Sequence, residues 1–196
     1  MENIKKIAVL TSGLSRGSNF KAIYNYLKDK SCPVEFTFLL ITEPDAPVSQ
    51  FCLENNIKTV LYKKEAGKIN DFLQNLLSEM PVDLIVLAGF MRKLSSSFLN
   101  NVKTPVLNIH PALLPLYGGK GMFGHFVHEA VFNNKDTVSG ATVHLVNSQY
   151  DKGDIILQEK TDISHCQSPS EIASEVLKIE HKIYAQAIEL LLFKNK

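Results

Sequence analysis

Long apolar runs are missing from this chain. Nowhere in its 196 residues does one approach the roughly 20 positions that a membrane-spanning helix needs, so no span is expected. The opening MENIKKIAVLTSGLS turns polar too soon for a signal peptide and reads as the first strand of a cytosolic protein. Cysteine is scarce. Cys32, Cys52 and Cys166 are odd in number, far apart and without C-x-x-C spacing, which supports neither a disulfide framework nor a thiolate metal site and leaves buried or incidental thiols. An excess of charge of one sign is lacking as well. With 21 Lys and Arg against 20 Asp and Glu, the net charge is +1, too little to pull the whole molecule onto nucleic acid or an anionic membrane. Any anionic ligand has to be met locally. No repeat, low-complexity stretch or linker divides the chain, so residues 1–196 read as one domain, a length that suits a single core.

What is present is the composition of a folding chain, 45% hydrophobic and 21% charged, with neither the polarity nor the bias of disorder. A compact apolar run, Ile7-Ala8-Val9-Leu10, opens into a Gly-rich loop ending Gly17-Ser18-Asn19, and a helical pattern follows with Phe20, Ile23, Tyr24 and Leu27. The alternation continues, with strands expected over 34–41, 59–61, 83–87 and 106–109 and helices over 48–55 and 69–79. Buried strands alternating with helices predict a parallel sheet covered on both faces. In the second half a helix is expected over 124–132, and β segments over 138–146 and 154–162 read as an antiparallel extension. Ser168-Pro169-Ser170-Glu171 combines a capping residue, a first-turn proline and a third-position glutamate, the start of a long terminal helix. The fold class is therefore α/β: a single-domain, mostly parallel Rossmann-like sheet with helices on both faces and an antiparallel C-terminal extension.

Several segments could carry chemistry. The first loop lacks the G-x-G-x-x-G spacing of a dinucleotide site. It can be a plain turn, or a phosphate site in which Gly17 allows close approach and the N–H groups of Ser18 and Asn19 face an anion from a helix N-terminus. Gly118-Gly119-Lys120-Gly121 resembles a nucleotide loop, but Gly121 stands where magnesium would need Ser or Thr, and no strand leads into it. His125 and His128, three apart and without a third ligand, read as solvated helix residues rather than a metal site. Asn108-Ile109-His110-Pro111 differs in kind. Strand alternation sends Asn108 and His110 to one side, at the carboxyl end of a sheet, where an amide donor and a titrating imidazole suit acyl transfer. A strand-end histidine bonded to backbone is the alternative. Asp151, in a turn with Gly153, is an ordinary surface acid unless its surroundings say otherwise.

Taken together, Gly17-Ser18-Asn19, the run Leu87 to Arg92 (LAGFMR), the run Leu107 to Pro115 (LNIHPALLP), the run Asp151 to Gln158 (DKGDIILQ) and Glu180-His181 resemble, in order and over nearly the whole chain, the phosphoribosylglycinamide formyltransferases. That resemblance implies transfer of a formyl group from 10-formyltetrahydrofolate to the amine of glycinamide ribonucleotide in purine synthesis. Asn108, His110 and Asp151 match the catalytic trio, with Asp151 raising the histidine's pKa. Gly17, Ser18 and Asn19 match the phosphate-binding turn, and Glu180 matches an acid holding the glycinamide end. Met91, Arg92, Lys93 and Leu94, Asn108, and Asn147, Ser148, Gln149, Tyr150 and Asp151 match positions that bind the reduced folate. No metal is expected, because the formyl donor is already activated, and the balanced charge and the lack of a long apolar run predict no nucleic acid and no membrane. Formyltetrahydrofolate deformylase and other folate-dependent formyltransferases, which share Asn-x-His-Pro, are the alternatives. Four departures stand out: Leu14-Ser15-Arg16 looks inserted, Ala112 replaces a serine, the loop from Tyr117 to Gly124 differs from the commoner one, and the usual ligand-binding arginine has no match, with Lys63, Lys64 and Lys68 nearby.

Overall fold

Side chains on a strand alternate between faces, so a strand buried at consecutive positions must be covered on both. In the computed structural model, which describes residues 4–14, 16–64 and 68–194, the last four residues of β1 (Lys5–Leu10) and all four of β4 (Leu84–Leu87) meet that condition. Ser15, within the apparent insertion, lies outside the described residues. The chain separates into two compact units, Met1–Leu107 and Asn108–Lys196.

The first unit also holds α1 (Ser18–Asp29), β2 (Val34–Ile41), α2 (Val48–Glu54), β3 (Thr59–Leu61), α3 (Ile69–Glu79) and α4 (Ser96–Asn101). Its strands run β3-β2-β1-β4 and pair in parallel, with a register shift between Ile7 and Ala8. The next strand, β5 (Val106–His110), begins beside β4, where the N–H of Ile85 donates to the carbonyl of Pro105 at 3.0 Å. α1 buries Phe20, Ile23 and Leu27, and α3 buries Ile69, Leu73 and Leu76, each set at helical spacing. Fully burying one such side chain is worth about 2 kcal/mol. Phe20 meets Phe36 and Phe51 edge-on, with centroids 5.4 and 5.8 Å away.

One helix, α4, has no counterpart among the sequence expectations. It is six residues long and buries only Phe98, too little to produce a period. Local bonds hold it instead: the Ser95 hydroxyl accepts from the N–H of Phe98 at 3.1 Å, and the N–H of Ser95 donates to Asn70 Oδ1 at 2.8 Å.

The second unit carries the end of β5, then α5 (His125–Asn133), β6 (Val138–Leu145), β7 (Ile155–Asp162) and α6 (Pro169–Glu189), which runs into a π-helical turn, Leu190–Lys194. Here the order is β5-β6-β7, and β6 and β7 are antiparallel, as expected for the extension. Ser168 caps α6, its hydroxyl accepting from the N–H of Glu171 at 3.3 Å, while the Glu171 carboxylate accepts from the N–H of Gln167 at 2.7 Å. α6 packs on β6, β7 and α5 through residues that include Ile172, Val176, Ile183 and Ala187. The architecture is α/β, with a seven-stranded, mostly parallel sheet and an antiparallel C-terminal pair.

Candidate active site

In the second unit, β5 presents Asn108 half-buried and His110 only 3% exposed. Asp151 follows β6 on a loop closed at its base by the N–H of Leu145 donating to the carbonyl of Asp154 at 2.9 Å. A side chain at Gly153 would run into the carbonyl of Leu145, so only glycine fits at that closure. Asp151 has φ +53°, a left-handed conformation that a non-glycine residue holds at some cost and that here turns its carboxylate inward. The carboxylate is 12% exposed; its Oδ2 lies 3.7 Å from His110 Nδ1 and accepts from the N–H of Gly119 at 2.8 Å. The structure thus places His110 beside Asp151, with the backbone contact of the alternative reading also present at Tyr117, and Asp151 is far from an ordinary surface acid.

A fourth residue of this group, His144 on β6, has no place among the sequence expectations. It is 2% exposed, with Nε2 3.6 Å from Asp151 Oδ1 and 3.3 Å from Asn108 Nδ2, and Nδ1 2.9 Å from the carbonyl of Leu145. The only sequence signal was a polar residue in an apolar strand, two positions after Thr142. That neighbour organises the segment after His110: the Thr142 hydroxyl donates to the carbonyl of Ala112 at 2.6 Å and accepts from the N–H of Leu114 at 3.0 Å and from Gln158 Nε2 at 2.9 Å.

His110 Nε2 lies 2.8 Å from the carbonyl of Tyr117. A carbonyl can only accept, so Nε2 carries the proton and Nδ1 is the titrating nitrogen, facing Asp151. Burial pushes the imidazole below its ordinary pKa, and this outweighs the opposing pull of Asp151. The expected net rise is thus corrected: Asp151 favours the charged form, but at 3.7 Å it does not offset desolvation. His128 corrects a second expectation. Only His125 is exposed, its ring against Phe126 at 4.0 Å, whereas His128 is buried and held below the usual histidine pKa by desolvation and by His110. Tyr117 anchors the loop after β5, its hydroxyl donating to Asp136 Oδ2 at 2.6 Å.

The other folate-matched residues of this unit, besides Asn108 on β5, lie on the Asp151 loop, where Asn147 Oδ1 accepts from the N–H of Gln149 at 2.8 Å and Ser148, Gln149 and Tyr150 are exposed. Glu180 and His181 are half-buried on α6, and burial lowers the pKa of His181.

In the first unit, Gly17 caps α1 with φ +70°, and a Cβ there would come within 2.5 Å of Val48 Cγ2. Glycine is required for both reasons. Ser18 and Asn19 occupy the first turn, which contains no acidic residue to oppose an anion. The Ser12 hydroxyl accepts from the N–H of Met91 at 2.7 Å, and its N–H donates to the carbonyl of Gly89 at 3.0 Å, tying the loop after β1 to the segment after β4. Met91 therefore already spends its N–H within the protein. Met91, Arg92 and Lys93 are exposed and Leu94 is buried; Arg92 lies over the ring of Tyr62 at 5.3 Å. Lys63, Lys64 and Lys68 are exposed. Among the described residues, no group of three or more His, Cys, Asp and Glu is set to hold a metal ion, and no helix is long and apolar enough to cross a membrane.

The family model described as formyl transferase matches residues 5–188. This chain belongs to the formyl transferase family. The match spans both units and every candidate site residue named above. Among relatives of this formyl transferase, phosphoribosylglycinamide formyltransferase of Bacillus subtilis is 31% identical, over 98% of this chain and 97% of its own length. The chloroplastic phosphoribosylglycinamide formyltransferase of Arabidopsis thaliana is 34% identical over 94% of this chain. The chain spans 64% of that plant protein's length. Among solved structures, glycinamide ribonucleotide transformylase 1 from Symbiobacterium toebii superposes with a TM-score of 0.86 at 27% identity, covering 97% of this chain and 89% of that one.

Proposed function

We propose that this formyl transferase moves the formyl group of 10-formyltetrahydrofolate to the amine of glycinamide ribonucleotide, in purine synthesis. The names of the similar proteins support the acceptor. The observation that carries the chemistry is the group that Asn108, His110 and Asp151 form in the second unit, the Asp151 carboxylate facing His110 and His144 and the Asn108 amide facing His144.

The amine attacks the formyl carbon, a C–N bond forms, and negative charge collects on the formyl oxygen. An Asn108 amide N–H and the Nε2–H of His110 are donors suited to that oxyanion, the Nε2–H exchanging the Tyr117 carbonyl for it. As the adduct forms, the amine sheds a proton. His110, neutral because burial disfavours its charge, can take one up at Nδ1. Asp151 faces the imidazolium so formed, and its attraction is greatest when the charge is present. The adduct then collapses with rupture of the bond to the folate nitrogen, which receives the proton. The formyl donor is already activated, so positioning, charge stabilisation and proton transfer are the work left to the protein. The turn Gly17-Ser18-Asn19 takes the ribonucleotide phosphate, Glu180 the glycinamide end, and Met91 to Leu94 with Asn147 to Asp151 the folate.

The test is a formyl-transfer assay with purified protein, 10-formyltetrahydrofolate, and either glycinamide ribonucleotide or water as acceptor. Formylated ribonucleotide is the expected product, and Asn108→Ala and His110→Ala should each lower turnover about a hundredfold or more while ligand binding changes much less. Free formate as the only product would overturn the acceptor. Near-normal turnover in both variants would overturn the site.

A further inference from the structure

An asparagine amide is nearly symmetric in shape but opposite in character at its two ends. Turned one way, Asn108 offers an N–H to a developing oxyanion; turned the other, it presents a carbonyl oxygen and repels it. Its partner decides. Asn108 Nδ2 lies 3.3 Å from Nε2 of His144, and what that nitrogen can do depends on the other side of the ring. There, Nδ1 is 2.9 Å from the carbonyl of Leu145, an atom that only accepts, so Nδ1 carries the proton. In the neutral ring Nε2 is then a lone pair, and only the NH2 end of Asn108 can satisfy it. Asp151 Oδ1, at 3.6 Å, cannot, because an ionised carboxylate has no proton to give.

We propose that His144 is a positioning residue: locked as its Nδ1–H tautomer by the Leu145 carbonyl, it accepts one amide hydrogen of Asn108 and thereby leaves the second N–H to the reacting oxygen. The inference rests on the role given to Asn108 in the proposed function. It assigns a task to a side chain that is 2% exposed and that the mechanism otherwise does not use. The rigidity of the arrangement comes from its origins: Asn108 on one strand, His144 on another, and the locking carbonyl on the residue next to His144.

Two substitutions separate the two sides of the ring. In His144→Asn the shorter amide can replace Nδ1 and keep the Leu145 bond, but nothing reaches Asn108. In His144→Gln the longer amide oxygen can take the place of Nε2. We expect His144→Asn to lower kcat about tenfold or more with KM for both substrates within about twofold, and His144→Gln to recover most of the loss. In an Asn108→Ala background, His144→Asn should cost almost nothing further, because both changes remove one interaction. On the unmodified protein, ¹⁵N spectra of the His144 ring should place the proton on Nδ1, a result independent of how any variant folds. A proton resident on Nε2, unchanged kcat in His144→Asn, or a full additional loss in the Asn108→Ala background would each overturn the proposal. Normal turnover in Asn108→Ala alone would instead overturn the catalytic reading beneath it.

Discussion

Asp151 and His110 illustrate how two opposing effects set one proton. Desolvation lowers the imidazole's pKa below its ordinary 6.5, and the carboxylate 3.7 Å away raises it by less. Activity that needs neutral His110 should therefore rise with pH through an acid limb lying below 6.5. Asp151→Asn removes the group that favours imidazolium, so the pKa falls further and the acid limb should shift to lower pH. The pH dependence of kcat/KM, measured with the variant shown to be folded, checks this; an unmoved limb would mean that Asp151 and His110 are not coupled. Turnover should fall as well, because the imidazolium formed during reaction loses its counter-charge. At this scale the sequence was informative wherever strand alternation applied, as for Asn108 and His110. It was silent on His144 and misleading on His128, because helical spacing alone does not say which side of α5 is covered.

The N-terminus of α1 is the element on which phosphate recognition depends. Gly17 sits at φ +70°, where any residue with a Cβ is strained by about 1–2 kcal/mol, and that Cβ would press on Val48. Gly17→Ala should lower the Tm by several degrees and raise KM for the ribonucleotide, with KM for the folate nearly unchanged. Adding Val48→Ala should return the steric part of the stability but not the conformational part. Thermal melts and paired KM measurements would show it; a rise in folate KM with ribonucleotide KM intact would reverse the assignment of this turn. The elements themselves were largely legible. β1 and β4 announced themselves as unbroken apolar runs, and α6 through Ser168, Pro169 and Glu171 at its start. α4 was not, since a single buried phenylalanine on six residues makes no pattern and its bonds come from Ser95 and from Asn70 on α3.

For the whole molecule, burial disfavours the charged forms of His110, His128 and His181. Their folded pKa values lie below 6.5, the value that an unfolded histidine keeps. Below that pH the unfolded chain binds more protons than the native one, so stability is complete above about pH 6.5 and is lost as pH falls toward the folded values. Denaturant midpoints measured from pH 8 to pH 5 should therefore decline on the acid side, and replacing buried His128 with Gln should flatten part of that slope. A slope unchanged in that variant would remove His128 from the account.

Local chemistry, written along the chain, determined which segments become strands and helices, where α6 starts, and that an amide and an imidazole share one side of β5. Those properties depend on neighbours a few residues away, and their periods and turn residues can be read in one dimension. Only the tertiary structure decided that Asp151 turns inward at φ +53°, that His144 completes the group, and that burial outweighs the carboxylate at His110. Each of these rests on how much water is excluded and on which distant segment arrives at hydrogen-bonding distance. Solvent exclusion and long-range approach arise from packing, and spacing along the chain does not encode them.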